Sequence, residues 1–207
     1  MLPPVPPADR HDPMIRGEIV FLRPAERDDI PYFVSWLSYA TTTRYIALRS
    51  PIGRAMEERW FDELLESHGR DRWFFVICRL VDGRQVGSLD FHQVDSINGS
   101  AGLGIIVGDP ADTGHGYGSD ALSALISFGF DELRLERIWL DVNAGNDRAE
   151  RLYARLGFVP EATFRHGEFR SGAFEDIHRM GLLRSEWTGR PQATSGDATA
   201  PREAPAG

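Results

Sequence analysis

Short runs of apolar residues, most of them bounded by turn signals, predict seven strands along this chain. Three of these runs, residues 72–80, 85–94 and 100–108, are separated by the pairs Asp82-Gly83 and Asn98-Gly99. Such pairs are typical of tight turns between neighbouring strands. We therefore expect these three strands to form an antiparallel meander. The other predicted strands cover residues 17–24, 137–142, 158–164 and 174–183.

Apolar residues that recur every three or four positions predict four helices between the strands. The clearest run follows residue 118 and places on one face Leu122, Leu125, Ile126, Phe130 and Leu133. A second helix, near residues 53–69, carries Met56, Trp60 and Leu64, with Phe61 and Leu65 beside them. The two remaining helices are expected near residues 28–37 and 146–157.

The order of these elements, β-α-α-β-β-β-α-β-α-β-β, predicts an α/β (mixed α+β) fold in a single domain. We expect a central mixed, mostly antiparallel sheet of about seven strands, flanked by helices. The domain is predicted to cover residues 14–187. The proline-rich residues 1–13 and the tail 188–207, which lacks large apolar anchors, are predicted to be disordered.

Composition excludes several classes of function. A formal charge of -8 and a pI near 5.2 do not fit a protein that binds nucleic acid or anionic membranes. No apolar run approaches the roughly 18 residues that span a bilayer, and we expect no signal peptide. The single Cys78 lies in an apolar strand and is expected to be a buried core residue in a cytoplasmic protein. The histidines show no metal-ligand spacing, so no metal site is expected.

Three glycines at alternate positions stand where a predicted strand gives way to a helix: Gly114, Gly116 and Gly118. A helix N-terminus offers unpaired N–H groups and a positive dipole end, and preceding glycines let the backbone approach a bulky anion. This pattern indicates a phosphate site, although a plain tight turn would also use glycine. A dinucleotide fingerprint would need a third glycine where Ser119 stands, and the lysine of a P-loop is absent.

A second motif helps to identify the kind of phosphate site. Residues 146–158 read N-x-x-A-x-x-L-Y-x-x-x-G-F, and residues 113–118 read T-G-H-G-Y-G before a helix. Together these motifs resemble the GNAT superfamily of acetyl-CoA-dependent N-acetyltransferases. The segments FLRPAERDDI and RMGLLRSEW resemble the two ends of its ribosomal-protein N-terminal acetyltransferase branch. The resemblance covers nearly the whole predicted domain and specifies the superfamily and the co-substrate, but not the acceptor.

The resemblance implies a binding site for acetyl-CoA, with roles for named residues. The pyrophosphate would rest on the loop amides of Thr113, Gly114, His115, Gly116, Tyr117, Gly118 and Ser119. The pantetheine arm would pair with the free backbone of a splayed strand at Ile105, Ile106 and Val107. Asn146 would cap its helix or contact the cofactor, and the sequence leaves both possibilities open. His115 replaces a basic residue that is common in relatives, so a protonated imidazole could assist phosphate binding.

The resemblance also implies an acid and a base for direct attack of a primary amine on the thioester in a ternary complex. Tyr153 is the expected acid that protonates the departing thiolate, although its place in an apolar stripe also fits a core aromatic. Relatives often carry a glutamate base where this chain has Gly102. Asp90 and His92 remain on one face of their strand, and Asp90 is the predicted base.

The sequence says less about the amine acceptor than about the co-substrate. The segments 39–53 and 165–176 are expected to contact the amine, and their mixed charges do not separate a small-molecule amine from a protein N-terminus. A homodimer is possible, as in other members of the family. Two rival interpretations remain open: a non-catalytic acyl-CoA-binding module, which the missing glutamate favours, and a nucleotide-binding module.

Overall fold

The computed structural model describes residues 13–46, 48 and 50–189. The two predicted disordered ends lie outside the described residues, apart from residues 13, 188 and 189. The strands are β1 Ile15–Arg16, β2 Val20–Pro24, β3 Trp73–Arg79, β4 Gln85–Asp95, β5 Ser100–Val107, β6 Arg137–Asn143, β7 Val159–Arg170 and β8 Ala173–Leu183. The helices are α1 Ile30–Trp36, α2 Ala40–Thr43, α3 Arg54–Ser67, α4 Tyr117–Asp131 and α5 Asp147–Arg155.

These strands form one eight-stranded sheet in the order β1-β2-β3-β4-β5-β6-β8-β7. Every neighbouring pair is antiparallel except β5 and β6, which are parallel. The predicted mixed, mostly antiparallel sheet is therefore confirmed, and so is the meander of β3, β4 and β5. The structure adds β1 and α2, which are only two and four residues long. Elements this short carry no readable periodicity.

Two hydrophobic cores lie on the two faces of the sheet. On one face α4 and α5 pack against the strands, and the predicted stripe of α4 is buried at Leu122, Leu125, Ile126 and Phe130. On the other face α1 and α3 pack on β3. The stripe predicted for α3 was partly wrong, because Met56 and Leu65 are 52% and 54% exposed. Phe61 and Leu64 are buried as predicted, and the third buried position of α3 is Glu57.

A single carboxylate fixes the start of α4 against the turn between β1 and β2. Asp120, in the first turn of α4, accepts hydrogen bonds from the backbone N–H groups of Glu18, Ile19 and Val20 at 2.8–3.0 Å. Gly17 makes this approach possible, since a Cβ there would lie 2.1 Å from an Asp120 oxygen. The helix end that faces the predicted phosphate site is thereby held in place.

Candidate active site

The glycine loop before α4 has the backbone conformation that its sequence predicts. Gly114 and Gly116 have φ of +90° and +83°, a region that favours glycine. Gly116 is the N-cap of α4 and has no side chain to cap the helix. The first N–H groups of a helix have no intrahelical acceptor, and the loop itself is exposed from Gly114 to Gly116. Several donors are thus open to solvent at the positive end of α4.

Two contacts anchor this loop to the sheet. Gly118 lies in the first turn of α4, where an added Cβ would contact Val107 and Ile105 at 3.5 and 3.6 Å. Before the loop, the buried carboxylate of Asp112 forms a bidentate ion pair with Arg84, from the segment just before β4. The N-terminus of α4 and the end of β5 are consequently held side by side.

Strands β5 and β6 pair only at their beginnings. The parallel register runs from Ser100–Arg137 to Gly102–Trp139 and then stops. Beyond this point Ile105, Ile106 and Val107 remain paired with β4 on their other side. All three are half-buried, which leaves an opening beside their backbone. The splay that the resemblance implied is therefore present, and it begins after Gly102.

Helix α5 carries Tyr153, the predicted acid. Asn146 caps the helix by accepting a hydrogen bond from the N–H of Ala149 at 3.3 Å, so the capping role is confirmed. Contact with the cofactor stays a prediction. The Tyr153 ring is half-buried and packs on Phe158 with a centroid distance of 5.9 Å. Burial raises the pKa of Tyr153 to about 12, so its hydroxyl keeps its proton at neutral pH.

Asp90 lies on the opposite face of the sheet from α5, because its register partner on β3 is Phe74, which packs under α1 and α3. One Asp90 oxygen lies 3.2 Å from Nε of Arg72, and the other lies 3.6 Å from Nδ1 of His92. Tyr153 and Asp90 therefore approach from different faces. A substrate that contacts both must lie in the opening between β5 and β6.

The two segments predicted to contact the acceptor meet in the structure. Arg170, near the end of β7, donates hydrogen bonds to the carbonyls of Thr43 and Ile46 at 3.0 and 2.6 Å. It also forms an ion pair with Glu168, which accepts a hydrogen bond from the side chain of Asn143. Sequence reasoning missed Asn143 and this connection, since no local pattern relates positions more than 120 residues apart. Residues 47 and 49 of the 39–53 segment lie outside the described residues.

The remaining candidate residues have clear positions. His115 is exposed and stacks on Tyr117 with a centroid distance of 5.6 Å; its contact with phosphate stays a prediction. Cys78 is fully buried, and this burial raises the pKa of its thiol. Within the described ranges, no group of three or more His, Cys, Asp or Glu side chains could hold a metal ion. None of the described helices is both long and apolar enough to cross a membrane.

Comparison with known proteins gives a family match over residues 20–159, to the model described as Acetyltransferase (GNAT) domain. The spermidine N(1)-acetyltransferase of Escherichia coli K12 is 28% identical over 171 residues, covering 81% of this chain and 88% of the relative. The candidate ribosomal N-acetyltransferase YdaF of Bacillus subtilis is 31% identical over 110 residues, covering 53% of this chain and 60% of the relative.

A solved structure has the same fold. The spermidine N-acetyltransferase of Vibrio cholerae, in complex with CoA and spermine, superposes with a TM-score of 0.75 at 24% identity, covering 81% of this chain and 96% of that one. At this identity the likeness shows the fold alone. The family model, in contrast, matches most of the described domain. The chain therefore belongs to the GNAT superfamily of N-acetyltransferases, in agreement with the resemblance of its two sequence motifs.

Proposed function

We propose that this protein transfers the acetyl group of acetyl-CoA to a primary amine, by direct attack within a ternary complex. The observation that carries this proposal is the opening between β5 and β6 beside the free N-terminus of α4. This arrangement would offer a phosphate site on the loop and a free strand edge on β5, and α5 would supply the hydroxyl of Tyr153. The names of the relatives, which describe acetylation of amines, support the same reaction.

Acetyl-CoA would lie along the edge of β5. Its pyrophosphate would accept hydrogen bonds from the backbone of residues 113–119, where two glycines expose the N–H groups. The pantetheine arm would pair with the backbone of residues 105–107 as an added strand. A backbone N–H near Ile106 would then polarise the thioester carbonyl, as an oxyanion hole does.

Tyr153 would act on the sulfur as the thiolate departs. An ordinary thiol has a pKa of about 8.5, whereas the pKa of Tyr153 is about 12. The phenol therefore does not give up its proton permanently to a thiolate. It stabilises the developing negative charge as a hydrogen-bond donor, and any proton that it passes to sulfur is replaced by one from the attacking amine. Tyr153 remains protonated over the working pH range, as this role requires.

The acceptor would enter from the side of the 39–53 and 165–176 segments, which Arg170 joins. Two carboxylates there and on a neighbouring strand pair with arginines, Glu168 with Arg170 and Asp141 with Arg179, whereas Asp176 accepts a hydrogen bond from the backbone N–H of His166. We include a protein N-terminus among the candidate acceptors.

An assay of CoA thiol release over a panel of amines tests this proposal. The panel contains spermidine, an aminoglycoside, an amino sugar and peptides with different N-termini. We expect at least one acceptor to release thiol in stoichiometric amount with N-acetyl product. The Tyr153→Phe variant should lose about 10²-fold in kcat while keeping its KM for acetyl-CoA.

The exposed Tyr32 of α1 offers a matched control, and Tyr32→Phe should leave kcat unchanged. Tight binding of acetyl-CoA with no thiol release for any amine would contradict the proposed function and favour a non-catalytic acyl-CoA-binding module. Equal turnover of Tyr153→Phe and wild type would remove the role of Tyr153.

A further inference from the structure

A second cluster of polar groups lies where β5 and β6 begin to separate. On β4, His92 is in register with Gly102 of β5, and Asp90 is in register with Gly104. A Cβ on Gly102 would lie 2.5 Å from Nε2 of His92, and a Cβ on Gly104 would lie 2.7 Å from an Asp90 oxygen. The two side chains of β4 thus lie across bare backbone of β5. His92 occupies the space that a side chain at position 102 would otherwise fill.

The imidazole of His92 is held from two sides. Its ring meets the edge of Trp139 of β6 at a centroid distance of 5.6 Å and an interplanar angle of 86°. Its Nδ1 faces the carboxylate of Asp90 at 3.6 Å, and Arg72 binds the other oxygen of that carboxylate. A carboxylate beside Nδ1 favours the tautomer with its proton on that atom. The lone pair is then on Nε2, which faces Gly102 at the start of the opening.

We infer that His92 is the general base that takes a proton from the acceptor ammonium, and that Asp90 is its positioning residue. This inference rests on the proposed acetyl transfer. The ammonium gives one proton to Nε2, and the neutral nitrogen then attacks the thioester carbon. The C–S bond breaks with its electron pair going to sulfur, which receives a proton from Tyr153. The second proton of the amine restores the phenol, so the products are the amide, CoA thiol and one proton on His92.

That proton has a route to solvent. His92 is one-quarter exposed and lines a surface pocket of about 330 Å³ between the sheet and α3. The charged groups around His92 are Asp90 from β4, Arg72 and Asp71 from the segment before β3, and Glu63 from α3. Three carboxylates and one guanidinium give these surroundings a net negative charge.

The test compares His92→Gln with wild type across pH, using an alkylamine that the wild type acetylates. Glutamine keeps the approximate size of histidine but cannot accept the proton. At pH 7 we expect kcat/KM for the amine to fall about 10²-fold, with acetyl-CoA binding changed by less than twofold. The deficit should shrink as pH approaches about 10, where the alkylamine loses its own proton.

Two further variants make the test specific. Asp90→Asn should show a smaller loss, about tenfold, with the same recovery at high pH, and it keeps the inference testable if His92→Gln does not fold. His178→Gln is the matched control, because His178 also pairs with a carboxylate, that of Glu150, at 2.6 Å. This control should keep the wild-type profile.

The possible outcomes distinguish a wrong role for His92 from a wrong proposed function. Wild-type turnover together with a His92→Gln rate within threefold of it at pH 7 would overturn the role of His92. A deficit of equal size at every pH would do the same, since a merely structural defect is not relieved by deprotonating the amine. Absence of turnover by the wild type with every amine would instead contradict the proposed function.

Discussion

At the scale of the single residue, Tyr153 has a place in the core as well as its proposed chemical role. Its ring packs with Phe158 against the cluster that includes α4, and its hydroxyl group loses solvent in doing so. Desolvation disfavours the phenolate, which explains the pKa of about 12. The same burial that keeps the proton on Tyr153 makes the stability of the protein depend on pH in the alkaline range.

This dependence gives a prediction for the free energy of unfolding. An unfolded tyrosine titrates near pH 10, and Tyr153 titrates near 12 in the folded protein. Its contribution is fully present below pH 10 and is lost as pH rises to 12, because only the unfolded chain gives up this proton between those values. A pKa difference of about two between the folded and unfolded states corresponds to about 2.7 kcal/mol in the free energy of unfolding.

Urea unfolding at several pH values checks this contribution. Between pH 10 and 12 the wild type should lose up to about 2.7 kcal/mol more stability than Tyr153→Phe. Parallel profiles for the two proteins would show that the Tyr153 phenol is not desolvated in the folded state.

At the scale of the element, the start of α4 is the part of the proposed acetyl-CoA site whose backbone conformation can be tested. Both α3 and α4 have a glycine N-cap, but the two glycines differ in backbone conformation. Gly116 has φ of +83°, whereas Gly53, before α3, has φ of -96°. An added methyl group would meet only ordinary contact at Gly116, with Ile19 at 3.6 Å, and open space at Gly53. An alanine would therefore strain the backbone at position 116 but not at position 53.

This contrast predicts different effects of the same substitution. Gly116→Ala should destabilise the loop by about 1–2 kcal/mol and raise the KM for acetyl-CoA about tenfold as the loop amides turn away. Gly53→Ala should change both quantities little, since its backbone suits any residue. Thermal unfolding and initial rates measure the two effects. Equal KM values for the two variants would show that the left-handed loop does not bind the cofactor.

Much of the element pattern could be predicted from sequence, because the strands and the longer helices carry clear periodicity. The glycine loop, the α5 motif and the meander were all recognisable in this way. The relation between His92 and Gly102 was not, since it depends on the register of β4 against β5. That register shifts between His92 and Asp95, and a slip of one residue would move every side chain to the other face.

Long-range contacts were also beyond the sequence. Arg170 meets Thr43 and Ile46 only because the sheet places β7 near the loop after α2. The exposure of Met56 and Leu65 has a similar cause. The stripe of α3 that is buried depends on the rotation of the helix against β3, and this rotation is set by packing against Phe74 and Phe33.

At the scale of the whole molecule, the opening between β5 and β6 is a property of the sheet. All of β6 pairs with β8, and β5 pairs along most of its length with β4. Each half of the sheet is thus held by its own partners, while β5 and β6 share only the register from Ser100 to Gly102. Acetyl-CoA would occupy the opening by adding hydrogen bonds to the free edge of β5.

A crystal structure of this protein with CoA tests the central claim most directly. We predict a pyrophosphate on the backbone N–H groups of residues 113–119 and a sulfur about 3–3.5 Å from the Tyr153 hydroxyl, within hydrogen-bond reach. Placement of CoA outside the opening between β5 and β6, or a sulfur beyond contact with that hydroxyl, would contradict it.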